Sequence, residues 1–236
     1  MCFSAAASFT VAAACAGAGA RAVAKCPSRR LMPLALMPLG FALQQAVEGI
    51  VWQQIAASPD GIVSGVGPAV FMLFATVLWP AYVPFAVRQS ETHPGRRRIL
   101  DALLIGGGLI ALTYITKLLN SVTSAHIVGH SVRYTQDAIH SLPVLSALHA
   151  WKIGGLDWLL MPYFAATVGS LALSGLRPVR WFAGFSAAAL LLVLVFNRPT
   201  LISVWCFFAA TGSLMIVLAI YSAGRSADDT AATRAP

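Results

Sequence analysis

From residue 3 to residue 221 the chain is a series of apolar runs, each long enough to cross or nearly cross a bilayer, divided by short polar connections. That spacing limits the fold more than any motif does. Hydrocarbon offers no partner to a backbone N–H or C=O, so apolar runs of this length are satisfied as helices. Seven can be marked, at about residues 3–24, 31–57, 62–87, 99–119, 153–176, 181–196 and 200–221, with one long connection at 120–152. They take up most of the 236 residues, of which 58% are hydrophobic and 10% charged, so no separate soluble domain fits beside them. The expected fold is an all-α membrane protein, a seven-transmembrane-helix bundle forming one domain over residues 1–222. The tail, 223–236, is polar and rich in small residues and is expected to be disordered.

Charge sets the expected topology. Lys25, Arg29 and Arg30 follow the first run; Arg88, Arg96, Arg97 and Arg98 the third; Arg177 and Arg180 the fifth; Arg225 and Arg234 lie in the tail. The alternate connections hold only Arg133, Lys152 and Arg198. The positive-inside rule then puts the N-terminus outside and the C-terminus in the cytoplasm. The net charge of +8 is spread through these connections, which suits lipid headgroups as the partner and argues against nucleic acid. The first run has no basic residue before Arg21, unlike a signal peptide, and reads as a retained helix whose Ala13, Gly17 and Ala20 suit close packing.

Within this apolar frame one carboxylate stands out. Glu48 falls about 13 Å below the outer end of the second run, where an ionisable side chain is expensive and marks a functional candidate. Helical rotation gathers Phe41, Gln44, Gln45, Glu48, Trp52 and Ile55 on one face. Lys117 just inside the outer end of the fourth run, Arg198 at the outer turn before the seventh, Asp157 about a turn below the outer end of the fifth and Cys206 in the seventh lie in the same outer half. The polar groups therefore converge on the outer leaflet, and a pocket lined by Glu48, Gln44, Gln45, Trp52, Tyr134, Lys117 and Arg198 is expected there. A structural ion pair of Glu48 with Lys117 or Arg198 is the competing explanation.

The long connection carries His126, His130, His140 and His149. As a helix, 126–134 would put His126 and His130 on one face, and with Glu48, Cys2 and Cys206 they form a candidate set for a transition metal, zinc or copper. The same segment is β-branched, alternates with period two and has a central Gly129, which equally describes a hairpin. On a strand the two imidazoles lie roughly 13 Å apart, too far to share an ion. Cys2 and Cys206 lie toward the outer side and are open to pairing, to metal ligation or to a plain packing role.

Met1-Cys2-Phe3-Ser4-Ala5, the block Gln44–Trp52, Leu78-Trp79-Pro80, Val128-Gly129-His130 with Tyr134, and Ser203–Ala210 together resemble an uncharacterised family of small bacterial multi-pass membrane proteins. The resemblance implies a bacterial cytoplasmic (inner) membrane location and singles out Cys2, Glu48, Trp52, His130, Tyr134 and Cys206, but it implies no reaction. Other seven-span families do not fit: the last run has no Schiff-base lysine for retinal, no histidine follows His149, and no Pro-Gln pair of the sugar transporters occurs. Three readings stay open: a metal-binding pocket with redox or hydrolytic chemistry, a proton-coupled transporter, or an accessory subunit with a membrane-protein partner or a second copy of itself.

Overall fold

The computed structural model describes residues 4–139, 143, 149, 152–153 and 156–232. Six helices among them are long and apolar enough to cross a membrane: α1 (Ala5–Ala24), α2 (Met32–Ala57), α3 (Val66–Ser90), α4 (Pro94–Leu119), α6 (Arg177–Phe196) and the span Arg198–Gly224, whose α-helix α7 covers Leu201–Ala232. The fifth expected run is the shorter α5 (Leu160–Ala172). At 1.5 Å per residue it extends about 20 Å, less than the hydrocarbon thickness of about 30 Å. Helix α7 continues through Ala232, across most of the segment expected to be a disordered tail.

Helix α1 starts at Ser4, whose Oγ accepts from Ala7 N at 3.2 Å, as an N-cap serine does. It buries Ser8, Ala12, Cys15, Gly19 and Ala22. Ala13, Gly17 and Ala20, expected to pack, are exposed instead. A run this rich in Ala and Gly offers a small-residue stripe on every face. The choice of face falls to its neighbours: Leu39 of α2 lies over Gly19, and Cys15 Sγ donates to Ala210 O of α7.

Prolines shape α3. Its middle, Leu73–Leu78, is a π-helical turn in which Trp79 N–H reaches back to Phe74 O. Ala75 O therefore loses the donor of an ordinary α-turn, and the next residue, Pro80, has no N–H to replace it. Tyr163 of α5 fills the gap, its hydroxyl donating to Ala75 O at 2.5 Å. A proline-induced irregularity in one helix is thus what binds the short helix to it.

One end of the bundle is covered by a sheet. Strands β1 (Ile62–Ser64), β2 (Ser121–Val128) and β3 (Ser131–Ala138) form an antiparallel sheet in that order. The third apolar run thus begins as a strand, and helix α3 starts only after Gly65. Between β2 and β3 the turn needs a residue at positive φ, and Gly129 supplies it at +62°. The hairpin alternative therefore holds for 126–134: His126 pairs with Arg133, and His130 sits exposed in the turn. Thr123, Ala125, Ser131 and Val132 face inward, with Val51 and Ile55 of α2 beneath the sheet. Two further short strands, β4 (Lys152–Ile153) and β5 (Leu156–Asp157), pair with each other before α5.

At the opposite end lie the basic connections. Arg88 is paired with Asp101. Glu91, 6% exposed, accepts from the N–H groups of Thr92, His93 and Gly175, tying the end of α5 to the turn between α3 and α4. Burial pushes the Glu91 carboxyl up, but those N–H groups and Arg96 outweigh it and hold it below the usual carboxylate range. A carboxylate lowered in the folded state stabilises fully above its unfolded pKa, and that contribution is lost as pH falls through the folded value. Thermal unfolding of the detergent-solubilised protein should therefore show stability declining below about pH 4.5. Glu91→Gln should cost about 1–3 kcal/mol at neutral pH and flatten that decline; an unchanged acid slope would contradict the clamp.

Candidate functional site

The stripe on α2 forms because its polar residues recur at helical spacing, and the structure turns it inward. Gln44, Gln45 and Glu48 are all essentially buried. Glu48 is held by neutral donors: Gln45 Nε2 at 3.1 Å to Oε2, and Ser203 Oγ of α7 at 2.5 Å to Oε1. Trp79 Nε1 donates to Gln44 Oε1 at 2.7 Å. Tyr134 of β3 comes down from the sheet and stacks on Phe71, ring centroids 4.4 Å apart. Burial, with Glu48 and Cys206 nearby, pushes its phenol well above the usual range.

Several atoms around this cluster have no hydrogen-bond partner among the described residues: Gln44 Nε2, Gln45 Oε1 and the Tyr134 hydroxyl. Each orphaned buried group costs about 1–3 kcal/mol, so a concentration of them is not a packing solution a bundle would adopt for stability alone.

Above the cluster, under the sheet, opens a partly enclosed cavity of about 280 Å³. Its apolar walls include Leu160, Phe164, Tyr163 and Trp205. The three rings are mutually edge-on, with centroids 5.2–5.9 Å apart. Its polar lining comes from Lys117 on α4, Tyr134 and Gln136 on β3, Asp157 on β5, and Arg198, Thr200, Ser203 and Cys206 at the start of α7. Ser203 links the two parts, lining the cavity while donating to Glu48 beneath.

Beside the cavity a second polar pair occurs. His149 Nδ1 lies 2.5 Å from Asp157 Oδ2, while Leu159 N donates to Asp157 Oδ1 at 3.0 Å. The imidazole leans on Tyr114, another lining residue, and among the described residues its Nε2 has no partner.

The expected site residues therefore divide. Gln44, Gln45, Glu48, Tyr134 and Cys206 gather in and around the buried cluster, and Lys117, Arg198, Tyr134 and Cys206 line the cavity. Trp52 packs with Val51, Ile55, Ala125 and Val132 beneath the sheet and does not line the cavity. Nor do His126 and His130, one on a strand and the other in its turn. Cys2 lies outside the described residues. Among the described residues no three His, Cys, Asp or Glu side chains come close enough to hold a metal ion, so the set Glu48, His126, His130 and Cys206 is not assembled. The strand geometry of 126–130 is the reason, because it sends the histidines along the sheet.

Ser203, Thr200, Trp79, Tyr114 and His149 were not among the expected site residues. A signal existed for two of them. Thr200, Ser203 and Cys206 recur every third residue, one face of a helix, in an otherwise apolar run. No comparable spacing marks Trp79, Tyr114 or His149, which join the site only through tertiary packing.

A family model described as a family of unknown function, DUF6629, matches residues 1–233 of the chain. No curated protein and no solved structure matches it.

Proposed function

The chain belongs to the DUF6629 family of unknown function, and from its own geometry we propose that it is a multi-pass membrane protein that binds a small amphiphilic organic molecule. The cavity between the sheet and the start of α7 carries this reading. Its volume of about 280 Å³, aromatic walls and few clustered polar groups have the character of a small-molecule pocket. In this reading α5 makes a seventh, shortened crossing, the basic end faces the cytoplasm of a bacterium, and the sheet covers the outer face. The pocket is then reached from outside.

Binding is favoured over transport by what lies below the cluster. Toward the basic end Leu34, Met37, Phe41, Val83, Leu100, Ile216 and Ile220 pack into one apolar core. Apart from Glu91 at its far end, the polar groups buried in that half are, among the described residues, scattered hydroxyls such as Thr167, Ser170, Ser174 and Ser213, with no charged side chain among them. An organic ligand is favoured over a metal because the cavity presents hydroxyls, an amide, cations and rings where a metal site needs convergent donors.

Fluorescence of aminoanthracene, a neutral amphiphilic probe, tests the reading on protein in lipid nanodiscs. Saturable enhancement above that of empty nanodiscs is expected. Gln136→Trp, which places a large side chain from β3 into the cavity, should weaken binding at least about tenfold while leaving the thermal unfolding temperature within a few degrees. No saturable signal, or binding indifferent to Gln136→Trp in folded protein, would sink the proposal.

A further inference from the structure

Resting on the pocket just described, we infer that its polar corner is an anion subsite, formed by the start of α7 with Thr200, Arg198 and Lys117, that takes a carboxylate or phosphate group of the ligand. Consecutive residues from Arg198 to Ser203 line the cavity, so the beginning of a long helix is turned toward the bound molecule. The N-terminal end of a helix carries a partial positive charge and favours anions.

Thr200 is the independent sign that this end is built for a ligand. It closes the 3-10 turn Arg198–Thr200 that runs directly into α7, so it lies inside the helical stretch whose N-cap is Asn197. Thr200 Oγ1 is buried and, among the described residues, has no hydrogen-bond partner, in a residue that lines the cavity and is 2% exposed. The Tyr134 hydroxyl is a second buried, unpartnered donor on the same lining. Two buried hydroxyls without a partner among the described residues are accounted for by an acceptor arriving from outside the protein.

The charges agree. Among the described residues Lys117 and Arg198 are the two cations on the lining, and Arg198 is anchored through Nε to Leu194 O at 2.7 Å. Among the described lining residues Asp157 is the one acid, and its oxygens meet His149 and Leu159 N. The aromatic walls then receive whatever apolar body the anion carries. Planar guanidinium and ammonium groups with hydroxyl donors suit the oxygens of either a carboxylate or a phosphate.

Titration calorimetry on nanodisc-embedded protein, corrected against empty nanodiscs, separates the possibilities with four ligands: decanoate, decanol, acetate and inorganic phosphate. Decanoate should bind at least about tenfold more tightly than decanol, the advantage of a charge-assisted contact. Lys117→Gln, Arg198→Gln and Thr200→Val should each reduce that advantage, while Arg198→Lys retains most of it. Because Thr200→Val keeps the side-chain shape, it guards against a result caused by misfolding. Equal affinity for decanoate and decanol, unaltered in all three variants, would overturn the anion subsite and leave the amphiphile pocket standing. Acetate or phosphate binding as tightly as decanoate, with the same losses, would uphold the subsite with a free anion as its ligand and remove the amphiphile. Binding of none of the four would overturn both.

Discussion

Gly107→Ala should be the most damaging small substitution in the bundle. A Cβ at that position would lie 1.8 Å from the carbonyl oxygen of Pro80, so α4 and α3 touch backbone to backbone. Neither side of such a contact can turn away as a flexible side chain would. The helices must separate, and with them the π-turn of α3 and the Tyr163 anchor that depends on it. A loss of about 3 kcal/mol or more is expected. The neighbours make the control: Gly106 and Gly108 have open space around the same atom. Alanine there should change stability by no more than about 1 kcal/mol, toward stabilisation if anything. Reversible unfolding in mixed micelles reads all three, and a mild effect at 107 would refute the close crossing.

Glu48→Ala should produce the second large effect, about 2–4 kcal/mol, by a different route. It removes the acceptor of Gln45 Nε2 and of Ser203 Oγ in a region that already holds three orphaned polar atoms. Adding Ser203→Ala removes one of the newly orphaned donors. The double variant should therefore be less destabilised than the sum of the two single ones. Glu48→Gln should be far milder, at about 1 kcal/mol. Its Oε1 can still accept from Ser203, and rotating the Gln45 amide brings the unpartnered Gln45 Oε1 to meet the new amide donor. The same unfolding assay measures these variants. Strict additivity of Glu48→Ala and Ser203→Ala would show that the two side chains are not coupled.

The two predictions also separate what was legible in the chain from what was not. The face of α2 was readable because 100° of rotation per residue places Phe41, Gln44, Gln45, Glu48 and Ile55 together, and all five are buried. The membrane class was readable from run length alone. Trp52 belonged to the same stripe by rotation, yet the sheet meets the end of α2 and draws it into a separate apolar cluster. For 126–134, period and composition left helix and strand open, and the choice was made by pairing: β2 is flanked by both β1 and β3, and β1 comes from more than fifty residues earlier in the chain.

Apolar run length, basic connections and helical spacing are one-dimensional properties, and they determined a helical membrane protein with Glu48 on an inward stripe. The partners of that stripe are set by contacts over long sequence separations. Ser203 reaches Glu48 across 155 residues, and Tyr163 finds Ala75 across 88. No local pattern encodes such distances. They arise because a proline leaves a carbonyl without a donor, because Gly107 lets two backbones meet, and because a sheet closes one end of the bundle above the start of α7. Only the tertiary structure could therefore turn an isolated carboxylate into a cluster with a cavity beside it.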